Sequence, residues 1–345
     1  MGASQGLARP LRPGGYHRGI VSPVTTVTVR APAKVNLQLA VGPIRADGYH
    51  DVATVFHAVS LFDEVTVAPA ERDSVTVTGE GADSVPADGA NLAARAAAAL
   101  LRAAGPGISD APGLAIRITK RIPVAAGLAG GSADAAGALV ACNELWRAGL
   151  SDTELGELAA GIGSDVAFGL LGGTAIGMGR GERVTPALAS GTFHWVLAFA
   201  SGGLSTADVY AACDRIGAAR GRRPARADDP GAARVPEPVL DNALMAALRS
   251  GDPAELGPLL SNDLQPAAIS LRPELRQALA AGSELGALGA MVSGSGPTCA
   301  FLARDRRHAR DLAAALAGAG VCRRVAQVLG PVPGAAVTAG TAEQA

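Results

Sequence analysis

Residues 27–41 alternate between hydrophobic and polar side chains with the two-residue period of a β-strand. Val35 and Leu37 fall on one face, and Lys34 and Asn36 fall on the other. A lysine on the polar face of a half-buried strand is usually solvated. The pattern therefore leaves two interpretations of Lys34 open, a solvated surface charge or a functional ammonium group.

The pattern that follows mixes strands and helices without the regular strand–helix–strand repeat of a parallel sheet. Further strands are predicted at 51–68, 74–78, 114–122, 172–182 and 193–200, and near Ala290, Cys299 and Val325. Helices are predicted after the N-cap residue Asn91, at 133–146, after the capping box that begins at Ser151, after Ser164, and at 305–317. This order favours an α+β fold.

The length of 345 residues suffices for two domains. We place them at 24–187 and 188–333. The flanking segments are rich in Gly, Pro and Ala and lack periodicity, so we expect a disordered extension at 1–23 and a flexible tail at 334–345.

Composition narrows the classes of partner. Hydrophobic residues make up 48% of the chain and charged residues 18%, values typical of globular proteins. The formal net charge of -1 gives no overall field that would attract nucleic acid or an anionic membrane. No apolar run reaches the ~20 residues that a membrane helix needs, and the N-terminus lacks the apolar core of a secretory signal. We therefore expect a cytoplasmic protein that binds a small molecule and neither nucleic acid nor a membrane.

The segment 123–134, PVAAGLAGGSAD, carries the strongest single indication of chemistry. Its glycines allow backbone N–H groups to approach a ligand, and the helix that follows presents its positive end to a phosphate. It is not a Walker A loop, because Gly131 is followed by serine, and not a dinucleotide fingerprint, because position 129 is alanine. A branched side chain at Gly130 is expected to fill space that phosphates need. A flexible turn with packing glycines stays open as the alternative.

A second glycine-rich segment, SGSGP at 293–297, lies between two predicted strands, and alone it is equally typical of a tight turn. Rare residues coincide with these segments. Of 30 basic residues only Lys34 and Lys120 are lysines, which suggests that a compact ammonium group is needed there. Two glycine-rich loops and an unusual strand lysine together indicate a nucleotide-dependent kinase.

Three motifs, in this order, resemble those of the GHMP kinases, the family that includes galactokinase and the homoserine and mevalonate kinases. They are APAKVNL at 31–37, PVAAGLAGGSADAA at 123–136 and VSGSGPT at 292–298, and the resemblance spans 27–333. It implies an α+β fold of two domains. The N-terminal domain would bind ATP, carry the catalytic residues and resemble domain 2 of ribosomal protein S5, and the C-terminal domain would be ferredoxin-like. The resemblance also implies that ATP and Mg²⁺ are bound.

Within that family, the segments RADGYHDVATVF, GSDVAF and SNDLQP are similar to one branch. That branch phosphorylates the 2-hydroxyl of a cytidine-diphosphate-linked methylerythritol in the non-mevalonate isoprenoid pathway. The likeness implies a catalytic pair of Lys34 and Asp165, with Asp165 as the base. It implies a nucleotide site formed by Pro123, Val124, Ala125, Ala126, Gly127, Leu128, Ala129, Gly130, Gly131, Ser132 and Ala133, with Ser132 as a Mg²⁺ ligand. It implies a substrate site formed by Asn36, Tyr49, His50, Thr206 and Tyr210, in which the tyrosines stack on cytosine and His50 contacts its edge.

Other interpretations stay open. A GHMP kinase of the homoserine or mevalonate type is disfavoured by Tyr49 and His50, because neither substrate offers a flat base to stack. A non-catalytic sugar-sensing or RNA-contacting module is disfavoured by the near-zero charge and by the presence of Lys34 and Asp165. Asp165 and Ser132 would each also suit a helix cap.

Overall fold

A computed structural model describes residues 26–105, 108, 113–219 and 237–338. The extension predicted at 1–23 lies outside these residues. Within them, no helix is both long and apolar enough to cross a bilayer. The described chain forms two β-sheets covered by helices, which confirms the α+β fold.

Every strand and helix predicted from the pattern occurs, with shifted ends. The strands are β1 (Val27–Ile44), β2 (His50–Pro69), β3 (Ser74–Gly79), β4 (Leu114–Lys120), β5 (Thr174–Gly179), β6 (Arg183–Pro186), β7 (Phe193–Phe199), β8 (Ser261–Asn262), β9 (Gly289–Val292), β10 (Cys299–Ala303), β11 (Arg324–Gly330) and β12 (Ala336–Val337). The helices are α1 (Leu92–Ala104), α2 (Gly130–Leu145), α3 (Asp152–Ile162), α4 (Val166–Leu171), α5 (Thr206–Ala219), α6 (Asn242–Ser250), α7 (Pro253–Leu256), α8 (Gln265–Leu271), α9 (Glu274–Glu284) and α10 (Arg306–Gly318).

The first sheet is built around the long β1–β2 hairpin. Its strands run β12-β1-β2-β4-β3, with β5 and β8 added beside β2 and β1, and β6 beside β5. A β-bulge between Asn36 and Gln38 shifts the side-chain alternation in the middle of β1. Every residue from 31 to 39 is buried, because helices cover one part of the hairpin and the second domain covers another. Lys34 is only 5% exposed, so the solvated-lysine interpretation is wrong.

Helix α2 packs closely against this sheet because small residues line its inner face. A Cβ atom at Gly137 would lie 2.9 Å from Val65 Cγ2, a contact too short for any side chain. The neighbouring helices begin as predicted. Asn91 caps α1 by accepting a hydrogen bond from the Ala93 amide, and Ser151 opens α3 with a complete capping box. The close packing of α2 fixes where its N-terminus lies.

The second sheet has four antiparallel strands in the order β11-β7-β10-β9. In chain order β7 is the first strand of this sheet, and it lies between β11, the last, and β10, the third. This is the strand order of a ferredoxin-like domain. Helices α5, α8, α9 and α10 pack on one face. The other face carries Phe193, Trp195 and Leu197, which share a core with β1 and β2 of the first domain. The two domains therefore meet along the β1–β2 hairpin.

The C-terminal residues return to the first domain. Strand β12 pairs with β1 through Val337 and Val29, and the Ala335 amide donates to the Gly169 carbonyl at 2.8 Å. The flexible tail predicted at 334–345 is therefore wrong for 334–338, because backbone pairing fixes that segment. Residues 339–345 lie outside the described part of the chain.

Candidate active site

A cleft of about 980 Å³ opens where β1 and β2 meet the loop before α2, the start of α5 and the turn after β9. The predicted site residues that line it are Lys34, Asn36, Tyr49, His50, Pro123, Val124, Ala125, Ala126, Gly127, Ala129, Gly130, Gly131, Ser132, Asp165, Thr206 and Tyr210. The side chains of Leu128 and Ala133 lie instead in the hydrophobic core beneath the loop. These two residues support the loop from below.

The loop between β4 and α2 is shorter than predicted. Helix α2 begins at Gly130 and not at Ala133, because Ala129 adopts a left-handed conformation (φ 58°) and serves as its N-cap. Ala125 is also left-handed, with φ 50°. Non-glycine residues hold this conformation only where their surroundings fix it. The first-turn amides of α2 have no partners within the helix, so they offer an anion both donors and partial positive charge.

The two glycine-rich segments, far apart in sequence, lie against each other. Gly127 has φ 76°, and a Cβ atom there would lie 2.0 Å from the Ser293 carbonyl oxygen. Ser293 Oγ donates to the Gly127 carbonyl at 3.1 Å. On the other side, a Cβ atom at Gly294 would lie 3.0 Å from Lys34 Nζ. Side chains at Gly127 and Gly294 would therefore separate the two loops from each other and from Lys34.

The ammonium group of Lys34 is held between the loop that precedes α2 and the carboxylate of Asp165. Its Nζ atom donates to Asn36 Oδ1 at 2.6 Å and to the Gly127 carbonyl at 3.2 Å, and it lies 3.8 Å from Asp165 Oδ2. Burial lowers the pKa of Lys34, and the Asp165 carboxylate opposes this change. Asn36 Nδ2 in turn donates to Thr54 Oγ1 at 2.8 Å. The Asn36 amide thus orients the lysine.

Asp165 occupies the N-cap position of α4 but does not cap the helix, because its side chain accepts no hydrogen bond from the helix amides. The side chain is 30% exposed and lines the cleft. The N-cap position alone would suit a helix cap, but the cap hydrogen bond does not form. Capping therefore does not explain where the carboxylate lies. The arrangement instead places an ionisable base beside a fixed ammonium group.

The other end of the cleft holds an aromatic pair. The rings of His50 and Tyr210 stack with their centroids 5.1 Å apart. His50 Nδ1 lies 3.0 Å from the Gly42 carbonyl oxygen, and because a carbonyl only accepts, Nδ1 carries a proton. His50 Nε2 lies 3.4 Å from Asp214 Oδ2. Burial raises the pKa of the Tyr210 hydroxyl, and the negative charge of Asp165 adds to this effect.

Tyr49 lies at the rim of the cleft and is 55% exposed. The guanidinium carbon of Arg180 lies 4.9 Å from the centre of its ring. Among the described residues no ring contact joins Tyr49 to Tyr210. Stacking of both tyrosines on one base therefore stays a prediction. Thr206 Oγ1 lies 3.0 Å from Ser295 Oγ, which links the start of α5 to the second glycine-rich segment.

A buried cluster of charged side chains lies beneath the loop between β4 and α2. Of its members, only Lys120 was singled out from the sequence. Lys120 Nζ donates to Asp63 Oδ2 at 2.5 Å and to Asp134 Oδ2 at 2.6 Å, and all three side chains are buried. Asp63 Oδ1 also accepts from the Ile122 amide at 2.9 Å. The cluster thus ties β2 and the end of β4 to the second turn of α2. Burial raises the pKa of Asp134 to about 7, and the Lys120 charge acts in the opposite direction.

The position of this cluster adds a second constraint on Gly130. A Cβ atom at Gly130 would lie 3.2 Å from Lys120 Nζ and 3.1 Å from Ile122 Cγ2. A side chain there would therefore press on Lys120 and Ile122, and its effect on ATP binding stays a prediction.

The charged side chains of Arg180 and Asp214 also line the cleft and were not predicted. Asp214 lies four residues after Tyr210 on α5, and this spacing puts two side chains on one helix face, so a signal existed. No local pattern distinguishes Arg180 from the other arginines of the chain.

Ser132 is the residue available for a divalent cation. It lies in the first turn of α2, is half-buried and lines the cleft, while Ala129 takes the N-cap position. Within the described ranges, no group of three His, Cys, Asp or Glu side chains could hold a metal. Mg²⁺ commonly binds through only one or two protein oxygens, with phosphate oxygens and water as its other ligands. The residues present fit such an ion.

Comparison with known proteins identifies the family. The model of the GHMP kinases N terminal domain matches residues 91–173, and that of the GHMP kinases C terminal domain matches residues 244–322. The 4-diphosphocytidyl-2-C-methyl-D-erythritol kinase of Thermobifida fusca (strain YX) is 56% identical over 321 residues, which cover 91% of this chain and 98% of that protein. The protein of the same name from Mycobacterium tuberculosis (strain ATCC 25177 / H37Ra) is 53% identical, over 93% of this chain and 96% of its own.

Solved structures agree with these relatives. A crystal structure of 4-(cytidine 5'-diphospho)-2C-methyl-D-erythritol kinase has a TM-score of 0.67 and 36% identity, and covers 88% of this chain and 99% of its own. A homoserine kinase from Cytophaga hutchinsonii has a TM-score of 0.66 over 92% of this chain and 98% of its own, but only 20% identity, so it shows the shared fold alone. More than half of the residues are identical to those of the first relative over almost its full length, and the chain therefore belongs to the 4-diphosphocytidyl-2-C-methyl-D-erythritol kinase family of the GHMP kinases.

Proposed function

We propose that this chain transfers the γ-phosphoryl group of ATP to the 2-hydroxyl of 4-diphosphocytidyl-2-C-methyl-D-erythritol, a step of the non-mevalonate isoprenoid precursor pathway. One observation carries the proposal. A single cleft holds the Lys34–Asp165 pair beside a glycine-rich loop and the His50–Tyr210 pair at its other end. A phosphate donor and a base-bearing alcohol would therefore meet at the ion pair. The shared name of the relatives supports the same acceptor.

The loop at 123–133 and the N-terminus of α2 would hold the ATP phosphates. The supporting features are the first-turn amides, which have no partners within the helix, and the two left-handed alanines of the loop, both of which line the cleft. Ser132 would bind Mg²⁺ through its hydroxyl. The ion, when bound, would neutralise part of the phosphate charge.

Asp165 would accept the proton of the 2-hydroxyl while the hydroxyl oxygen forms its bond to the γ-phosphorus. The bond from that phosphorus to the bridging oxygen would break at the same time, and ADP would leave with the electron pair. Lys34 would offset the negative charge that spreads over the transferred group. Its hydrogen bonds to Asn36 and Gly127 support this role, because they hold the ammonium group in place before the substrates arrive.

The aromatic end of the cleft would bind cytosine. A flat base calls for stacking surfaces and for polar partners at its edge, and Tyr49, Tyr210 and His50 supply these groups around one cleft. Asn36 and Thr206 line the same cleft, and Asn36 would contribute mainly by orienting Lys34.

A panel of alcohols tests the proposal. The purified chain is incubated with ATP, Mg²⁺ and, separately, 4-diphosphocytidyl-2-C-methyl-D-erythritol, homoserine and mevalonate. We expect ADP release and a product heavier by one phosphoryl group with the first alcohol alone. The Asp165→Asn variant serves as the blank for contaminating kinases. Phosphorylation of homoserine or mevalonate, with the cytidine-linked alcohol unchanged, would replace the proposal with the alternative kinase type.

A further inference from the structure

Arg180 lines the cleft but has no role in the chemistry proposed above. It follows the last residue of β5, its side chain is half-buried, and its guanidinium lies against the ring of Tyr49. It is one of three lysine or arginine side chains in the cleft wall, together with Lys34 and Lys120.

The other two cations already have carboxylate partners. Lys34 lies 3.8 Å from an oxygen of Asp165, and Lys120 is held between two buried aspartates. Arg180 forms no ion pair with any described residue. The nearest acid in sequence, Glu182, accepts instead from the Arg180 backbone amide at 2.6 Å. A half-buried guanidinium without a carboxylate is suited to an anion that comes from outside the protein.

The position of Arg180 narrows the kind of anion. On one side it contacts Tyr49, which precedes His50 of the aromatic pair in the chain. On the other side its neighbour Gly181 approaches the residue before the catalytic carboxylate, since a Cβ atom at Gly181 would lie 3.8 Å from Ser164 Cβ. Arg180 therefore lies between the group that would bind the base and the group that would take the proton.

We propose that Arg180 binds the diphosphate that joins the base to the acceptor alcohol. This inference rests on the proposed function, because a substrate with a base at one end and a reacting hydroxyl at the other must place its diphosphate between them. The planar fork of an arginine matches two phosphate oxygens, and the chain has almost no net charge to attract such an anion by itself. Arg180 thus gives the enzyme its preference for diphosphate-linked alcohols.

Binding of CDP and of cytidine tests the assignment. Both are titrated calorimetrically into the full chain whose ATP site is saturated with a non-hydrolysable ATP analogue, so that CDP is kept from the phosphate loop. The variants are Arg180→Met, which keeps length and apolar contact with Tyr49, Arg180→Lys, which keeps a charge, and the control Arg183→Met on the exposed part of β6. We expect wild type to bind CDP more tightly than cytidine.

In Arg180→Met we expect the affinity for CDP to fall roughly 10- to 100-fold, the range expected when a charge-assisted hydrogen bond is lost. The affinity for cytidine should change by less than about twofold. Arg180→Lys should recover part of the loss, and Arg183→Met should match wild type. Equal losses for CDP and cytidine would overturn the inference, since Arg180 would then only support Tyr49. A preference for CDP that survives in Arg180→Met would overturn it while leaving the proposed function intact. A wild type that binds neither ligand would overturn the inference and the substrate assignment together.

Discussion

Asp165 Oδ2 lies 3.8 Å from Lys34 Nζ, beyond the distance of a direct hydrogen bond, and the carboxylate caps no helix although it occupies an N-cap position. The ammonium group is held instead by Asn36 and by the loop carbonyl of Gly127. The nearest carboxylate oxygen therefore keeps a lone pair available for an incoming hydroxyl. The ion pair thus leaves this oxygen free of a direct hydrogen bond from the ammonium group.

Asp165→Asn and Lys34→Met should each lower kcat by roughly 10²-fold or more. The amide of asparagine cannot accept the hydroxyl proton, and methionine cannot offset charge on the transferred group. Steady-state kinetics with the cytidine-linked alcohol measures the effect, and circular dichroism at 222 nm checks that the variants are folded.

A capping aspartate of the same chain provides the control. Asp305 caps α10 by accepting from the His308 amide at 2.8 Å. Asp305→Ala should lower stability, as the loss of a helix cap typically does, with kcat unchanged. Asp165→Asn should show the opposite pattern, and near-wild-type turnover in that variant would reduce Asp165 to a structural residue.

Lys120→Met should destabilise the protein by about 3 kcal/mol or more, because it leaves the carboxylates of Asp63 and Asp134 buried without their cation. Asp134→Asn should cost less, since Lys120 keeps its bond to Asp63. Urea denaturation at pH 7 measures both variants. The adjacent Arg121 is half-exposed, and Arg121→Met should stay within about 0.5 kcal/mol of wild type. Equal effects of Lys120→Met and Arg121→Met would contradict the structural role of the cluster.

His57 should make stability depend on pH. Its side chain is fully buried at the contact between the domains, where its ring meets Phe193 and Trp195, and burial lowers its pKa to about 3. The unfolded chain takes up a proton near pH 6.5, and the folded chain does so only near pH 3, so acidification favours unfolding between these values. His57 should therefore remove about 2 kcal/mol of stability between pH 7 and pH 5.

Comparing wild type with His57→Leu isolates this effect. The absolute stability of the variant is uninformative, because packing changes as well, but its stability should fall less steeply with acidification than that of wild type. Urea midpoints at pH 7, 6 and 5 give the two slopes. Identical slopes would mean that His57 takes up its proton equally readily in both states.

The local sequence pattern was sufficient to predict the strands and helices of the fold. The alternation in β1, the capping box at Ser151 and the loop at 123–134 each depend on neighbours in sequence, and each was predicted. The errors arose from distant contacts. Lys34 is buried against the Gly127 loop and Asp165, both far from it in sequence, and the segment at 334–338 is ordered because it pairs with β1.

The same limit applies to the site. Family motifs located the residues of the loop and the ion pair, because those residues stand in contiguous segments. Asp63 and Asp134 are separated by many residues and meet only through Lys120, so no motif contains the cluster. The contacts of Gly130 with Lys120 and Ile122 beneath the loop were likewise not foreseen, because those residues precede the glycine-rich segment.

Tyr210 should contribute more than Tyr49 to binding of the cytidine-linked substrate. Stacking on one aromatic ring is typically worth ~1–3 kcal/mol, so either alanine variant should raise the KM for this substrate by roughly 5- to 150-fold. Tyr210 also stacks on His50, whereas Tyr49 is 55% exposed at the rim, so Tyr210→Ala removes a binding surface and also releases His50 from its orientation. The KM for ATP should stay within about twofold in both variants, because the phosphate loop lies elsewhere in the cleft. Tyr210→Phe keeps the ring and should behave almost as wild type. Parallel increases in both KM values would instead place the tyrosines outside the substrate site.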